Sequence, residues 1–250
     1  MKLQRIQQLF NVLYFYLNMS LNKIKSEINS LANPKKAASL QKYFKTGKGE
    51  YGEGDIFLGL TVPISRKIAL NYPNLSLNEI KDLLKSKIHE HRLIALFILV
   101  DKFKKSKEKK EIFDFYLDNA GFINNWDLVD SSAEQIVGEY LIDKDKSILY
   151  YLSSSSNIWE RRISIISTFH FIKNNQFIDT LKISEILFKD KHDLIHKAVG
   201  WMLREVGKKD SSVLEKFLKS HYKFMPRTSL RYAIERFPEE KRQRYLKGEI

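Results

Sequence analysis

The feature that most constrains this chain is a recurrence. Five segments are His91-Arg92-Leu93-Ile94-Ala95-Leu96, Trp126-Asp127-Leu128-Val129-Asp130, Arg161-Arg162-Ile163-Ser164-Ile165-Ile166, His196-Lys197-Ala198-Val199-Gly200-Trp201 and Leu230-Arg231-Tyr232-Ala233-Ile234. Set in register, they bring Arg92, Asp127, Arg162, Lys197 and Arg231 round about every 35 residues. That period, with two helices per unit, belongs to the HEAT and TPR class, in which no repeat buries its apolar face alone and stacked neighbours share one core. The expectation is an all-α chain: an α-solenoid of HEAT-like helical repeats whose second helices line a concave basic groove. Five Pro and ten Gly in 250 residues are too few for a turn-rich β-sandwich. At 43% hydrophobic the chain can bury a substantial core, which excludes wholesale disorder.

Four of the five recurring positions are basic. Lys and Arg at equivalent places on stacked helices make a stripe of positive charge spaced to follow a phosphate backbone. The whole chain agrees, with 43 Lys plus Arg against 30 Asp plus Glu and a net charge of +13, a balance that favours a polyanionic partner. Asp127 and its neighbour Asp130 oppose that field. Either one of them pairs with a nearby Arg, or an anion is wanted where positive charge develops on a substrate.

The order of the chain adds detail. Lys2 and Arg5 precede the apolar Leu9-Phe10 and Val12 to Leu17, but Asn11 interrupts the run and Asn18-Met19-Ser20 offers no small-residue cleavage pattern. Residues 1–20 therefore read as an added helical or disordered extension, or as sequence upstream of a start at Met19, and 21–250 as a single domain. Leu21 to Phe44 reads as helix broken at Asn33-Pro34. The Gly-rich Thr46 to Asp55 lacks the spacing of a nucleotide loop and reads as a flexible connection. Pro63 suits the first turn of a helix through Leu70. Lys102 to Lys110 reads as a solvated turn, and Ser153 to Ser156 as a polar linker before a helix capped by Asn157. His89-Glu90-His91 is a poor metal pair, because H-x-H on a helix points its imidazoles about 200° apart; it reads as surface chemistry. No metal and no cofactor are expected. The absence of Cys rules out disulfides and thiolate metal sites and fits a reducing, cytoplasmic setting. No apolar run is long enough for a membrane span.

One stretch carries chemistry. In Asn124-Asn125-Trp126-Asp127-Leu128-Val129-Asp130 the two Asn residues read as a helix start. Trp126 and Asp130, four apart, then project from one face. Alone, this fits a capped, half-buried Trp beside a solvated acid.

Taken with Trp159-Glu160-Arg161-Arg162, the run Lys197-Ala198-Val199-Gly200-Trp201-Met202-Leu203-Arg204-Glu205, Tyr43-Phe44-Lys45-Thr46-Gly47 and Met225-Pro226-Arg227-Thr228, it resembles the AlkD-type DNA alkylation repair proteins. The similarity runs from about Leu21 to the C-terminus. It implies a HEAT-like DNA glycosylase that hydrolyses the N-glycosidic bond of N3- and N7-alkylated purines in duplex DNA, leaves an abasic site, and acts while the base stays stacked. The family's catalytic Trp and Asp fall on Trp126 and Asp130, its W-x-x-R arginine on Arg162 and its A-x-G-W tryptophan on Trp201. Tyr43 and Arg204 match positions near DNA. Arg92, Arg161, Lys197, Arg227 and Arg231 complete the expected DNA-binding set.

The chemistry suits those residue types. An alkylated purine is already cationic and leaves without a general acid. What remains is to stabilise an oxocarbenium-like sugar and position water, the work of a carboxylate by analogy with glycoside hydrolysis, here assigned to Asp130. The π-faces of Trp126 and Trp201 can feel the growing charge, and Arg162 is expected on a phosphate. The partner is duplex DNA carrying alkylated bases, bound by a monomer. The competing reading is a non-catalytic helical-repeat binder of DNA or RNA, or a protein-interaction scaffold.

Overall fold

Helix starts in this chain are set by short polar side chains that satisfy the first backbone amides. Asn33 accepts from Lys36 N at 3.0 Å and Pro34 follows at the first helical position. Ser76 and Glu79 form a reciprocal capping box, Asn157 accepts from Trp159 N, and Asp210 accepts from Ser212 N and Val213 N. The structure, a computed structural model, describes residues 20–250; the extension expected over residues 1–20 lies outside them but for its last residue.

Described separately, the chain forms two compact units, one running to Leu128 and the other from Val129 to Ile250. The first holds α1 (residues 20–30), α2 (Pro34–Tyr43), α3 (Val62–Asn71), α4 (Leu77–Leu84), α5 (His89–Lys105), α6 (Lys109–Asp118), a 3-10 turn (Ala120–Phe122) and the start of α7 (Trp126–Asp130). Its centre is α5, against which α3, α4 and α6 pack. The run from His89 to Val100 is buried all round, as an apolar helix without a polar stripe must be. Among the described residues the fold has no strand, only an isolated bridge between Ile56 and Ile88 that ties the end of the Gly-rich connection to the start of α5.

The second unit continues through a π-helical turn (Glu134–Gly138), α8 (Glu139–Leu141), α9 (Ser147–Ser153), α10 (Ile158–Lys173), α11 (Ile178–Leu187), α12 (Asp193–Lys209), α13 (Ser211–His221), α14 (Arg227–Ala233) and α15 (Glu239–Lys247). Here α10 and α12 are central: α9, α11 and the π turn pack on α10, and α13 and α14 on α12. The buried hydroxyls of Ser164, Ser167 and Thr168 bond back to carbonyls of their own helix, so α10 can be buried without orphaned donors. Close approach selects glycine twice. A Cβ on Gly138 would lie 2.2 Å from Ser167 O, and one on Gly200 2.5 Å from Ser229 O. The glycine of the A-x-G-W segment is thus the contact that lets α14 lie against α12.

The five recurring segments fall on α5, α7, α10, α12 and α14, the last ending at Ala233. The fold is all-α and of the helical-repeat kind expected. No helix among the described residues is long and apolar enough to cross a membrane.

Candidate functional site

In the second unit, Asp130 ends α7 and Arg162 sits in the first turns of α10. They form a two-pronged pair: Arg162 Nε donates to Asp130 Oδ1 and Nη2 to Oδ2, both at 2.8 Å. Nη1 donates to Leu194 O, in the first turn of α12, at 2.6 Å. Such a fork fixes the carboxylate in one plane. Arg162 is only 5% exposed, whereas the Asp130 side chain keeps 18% of its surface. Arg162 was expected on a phosphate; in this structure its partners are within the protein. Its donors turn inward and hold an acid, because the start of α10 packs against the neighbouring repeat instead of facing water.

The other expected residues of this unit divide by what already engages them. Arg161 is tied to Asp190 at 2.6 Å and to the carbonyls of Ser155 and Ser156. Arg204 lies against Glu205 and Glu235. Lys197, half-buried, meets Asp193 at 2.8 Å. Arg227 and Arg231 are exposed on α14. Trp201 is half-buried; its indole N–H donates to Glu205 Oε1 at 3.1 Å and its ring lies 5.8 Å from Phe169.

In the first unit, Asn125 receives Trp126 N on its Oδ1 at 2.8 Å, so α7 starts where the two Asn residues suggest. The Trp126 ring stacks on Phe44 at 5.1 Å and meets Tyr43 edge-on, while its N–H donates to Tyr51 OH at 3.3 Å. Tyr43 is 65% exposed at the end of α2. Beneath them lies a group of charges that the sequence did not announce. His89 Nδ1 faces Asp55 Oδ2 at 3.2 Å and its Nε2 faces Asp127 Oδ2 at 2.8 Å. Arg92 makes an ion pair with Asp55 at 2.6 Å and donates to Ser86 O.

Arg92, expected on DNA, is 3% exposed and neutralises a buried acid. His89-Glu90-His91, expected at the surface, is buried throughout. Its Glu90 accepts the backbone amides of Leu58, Gly59 and Leu60, which fastens the loop before α3. The Gly-rich connection is likewise more than a flexible link. Its turns bond internally, as Gly47 N to Glu50 and Gly49 N to Glu53, and they deliver Asp55 into the interior. Asp55 is the residue that sequence reasoning missed, and His89 the one it placed at the surface. The available signal was a His-Glu-His run opening an otherwise apolar helix, which burial alone explains. Among the described residues no cluster of His, Cys, Asp or Glu is placed to hold a metal ion.

The comparisons with known proteins decide the family. A family model described as DNA alkylation repair enzyme matches residues 24–237. The chain belongs to that family. Solved structures agree on the fold. One, named as a predicted DNA alkylation repair enzyme from Enterococcus faecalis, superposes with a TM-score of 0.66 at 16% identity, covering 83% of this chain and 97% of its own. AlkD2 from Streptococcus mutans gives 0.54 at 20% identity, with 86% and 99% covered. The protein smu.31 from Streptococcus mutans UA159 gives 0.52 at 22%, with 81% and 98% covered. Comparison with the curated proteins returns no match. As a DNA alkylation repair enzyme the chain acts on DNA, and its positive excess suits that substrate.

Proposed function

We propose that this protein is a DNA glycosylase that hydrolyses the N-glycosidic bond of N3- and N7-alkylated purines in duplex DNA and leaves an abasic site, the base remaining stacked. The observation that carries the reading is the Asp130 carboxylate: held flat by the Arg162 fork and still partly open to solvent, in a family whose members repair alkylated DNA. The alkylated base is its own leaving cation, so the task left to the protein is anionic: to sit beside the sugar as positive charge develops and to orient a water. Arg162 takes the role of orienting that carboxylate. Trp126 and Trp201 keep the sugar-facing role that the resemblance gives them, and Tyr43, Arg227 and Arg231 are the expected DNA contacts that remain exposed. The reaction consumes only water, and a cytoplasmic monomer suffices for it.

The same geometry supports a second reading. An Asp130–Arg162 pair satisfied within the fold is also what a non-catalytic helical-repeat DNA binder needs to join α7 to α10. Release of free base from methylated duplex DNA separates the two. Asp130→Asn should slow single-turnover release about 10²–10³-fold, roughly 3–4 kcal/mol, while leaving DNA affinity unchanged. Release at the wild-type rate by Asp130→Asn would make the carboxylate structural and leave the binder.

A further inference from the structure

Both ring nitrogens of His89 face carboxylate oxygens, Asp55 at 3.2 Å and Asp127 at 2.8 Å. An ionised carboxylate only accepts, so both nitrogens must donate, and only the imidazolium does so. Placing the proton on Asp55 instead is opposed by Arg92, 2.6 Å away. Two cations and two anions then cancel, which lets three buried charges and the half-buried Asp127 coexist. The ring also stacks on Phe57 at 4.3 Å and lies 5.2 Å from Phe44, which itself stacks on Trp126. His89 thus reaches the first turn of α7 twice, by charge through Asp127 and by ring contact through Phe44.

We propose that His89 is a positioning residue: as an imidazolium held between Asp55 and Asp127 it fixes the first turn of α7 and the orientation of Trp126, so that repair activity follows the protonation of this one buried ring. The activity half rests on the glycosylase reading; the hold on Trp126 rests on the geometry alone. The groups facing the ring are Asp55 from the Gly-rich connection, Asp127 from α7 and Arg92 from α5 itself. Burial works against the imidazolium, but the charge and hydrogen bond of Asp127 and the hydrogen bond of Asp55 outweigh it and the opposing Arg92, and raise His89 above its ordinary value. A raised basic group gives its full contribution below the ordinary imidazole value and loses it as pH rises through the folded one. The clamp therefore fails on the alkaline side.

The test uses the full chain, with single-turnover release of N7-methylguanine from methylated duplex DNA followed from neutral to alkaline pH. His89→Gln and Asp127→Asn should each lower the rate about 10- to 100-fold through misplacement, with DNA affinity unchanged, and abolish the alkaline limb. The double variant, with an amide pair in place of the ion pair, should recover part of the rate while the limb stays absent. In parallel, the indole N–H resonance of Trp126, assigned with Trp126→Phe, should shift with a single titration in the wild type and not in Asp127→Asn. Unchanged rates and limb in both single variants overturn the proposal. So does a rate loss without an indole titration, which makes His89 merely structural. If His89→Gln fails to fold, Asp127→Asn and the wild-type titration decide. If the wild type releases no base, the glycosylase reading fails, and the presence or absence of the indole titration still decides what His89 does to Trp126.

Discussion

Asp127 and Asp130 sit three residues apart on one short helix and have opposite fates. Asp127, its side chain 14% exposed, closes a neutral set of four charges with His89, Asp55 and Arg92. Asp130 is held in the fork of the Arg162 guanidinium, and its side chain keeps 18% of its surface. An acid set among cations and acids from other elements helps to hold the fold. An acid held flat by a guanidinium fork is oriented. The contrast is one of pairing, a four-charge network against a guanidinium fork, and it separates the proposed positioning network from the candidate reactive group.

The comparison can be broken most directly at its arginines. Arg92→Ala leaves buried Asp55 with only the imidazolium it shares with Asp127, and should cost about 3–5 kcal/mol of unfolding free energy in a denaturant titration. Arg162→Ala should cost less, about 1–3 kcal/mol, because Asp130 can recover water. Equal losses, or the reverse order, would show that the two pairs are equally closed.

The pH dependence of stability sharpens the same contrast inside the first unit. His89 contributes fully below the ordinary imidazole value, and the contribution fades as pH rises through its raised one. Asp55 is lowered: burial pushes it up, but the His89 hydrogen bond and the Arg92 charge outweigh that, so its contribution is lost only as pH falls through the lowered value. His91 behaves oppositely to His89. Burial, then Lys25 and Arg92, lower it from 6.5 to about 4, so between those values the unfolded chain takes a proton that the folded one refuses. His91→Gln should therefore remove an acid-side loss of stability on the order of 1–3 kcal/mol between those pH values, visible in melts across the range. An acid slope unchanged by the substitution would place the loss elsewhere.

The smallest effects belong to the exposed cations of α14. Duplex binding through about five to eight phosphate contacts should give a slope of log K against log salt of roughly −4 to −7. Arg227→Ala and Arg231→Ala should each reduce its magnitude by about 1, with stability changed by less than about 0.5 kcal/mol. If neither changes the slope, α14 does not touch the backbone, and the positive excess acts from other positions.

Much of this protein was legible in its order of residues. The helix starts at Pro34, Leu77 and Ile158 follow from caps one residue upstream, and the 35-residue recurrence does fall on α5, α7, α10, α12 and α14. The Trp-Asp and Trp-Arg segments pointed to the family that the comparison then showed. These signals are local: a cap, a helical period or a motif is complete within a few residues. What only the tertiary structure decided is which charges are spent inward. Arg92 and Arg162 share a repeat position with Arg231, yet the first two are buried and the third exposed. His89 and His91 stand two residues apart with opposite shifts. For His89 and Arg162 the partner lies far along the chain: Asp55 is 34 residues from His89, Asp127 is 38 from it, and Asp130 is 32 from Arg162. The charge state and exposure of such a side chain depend on water excluded and counter-charge supplied by another repeat, and neither exists until the repeats have packed.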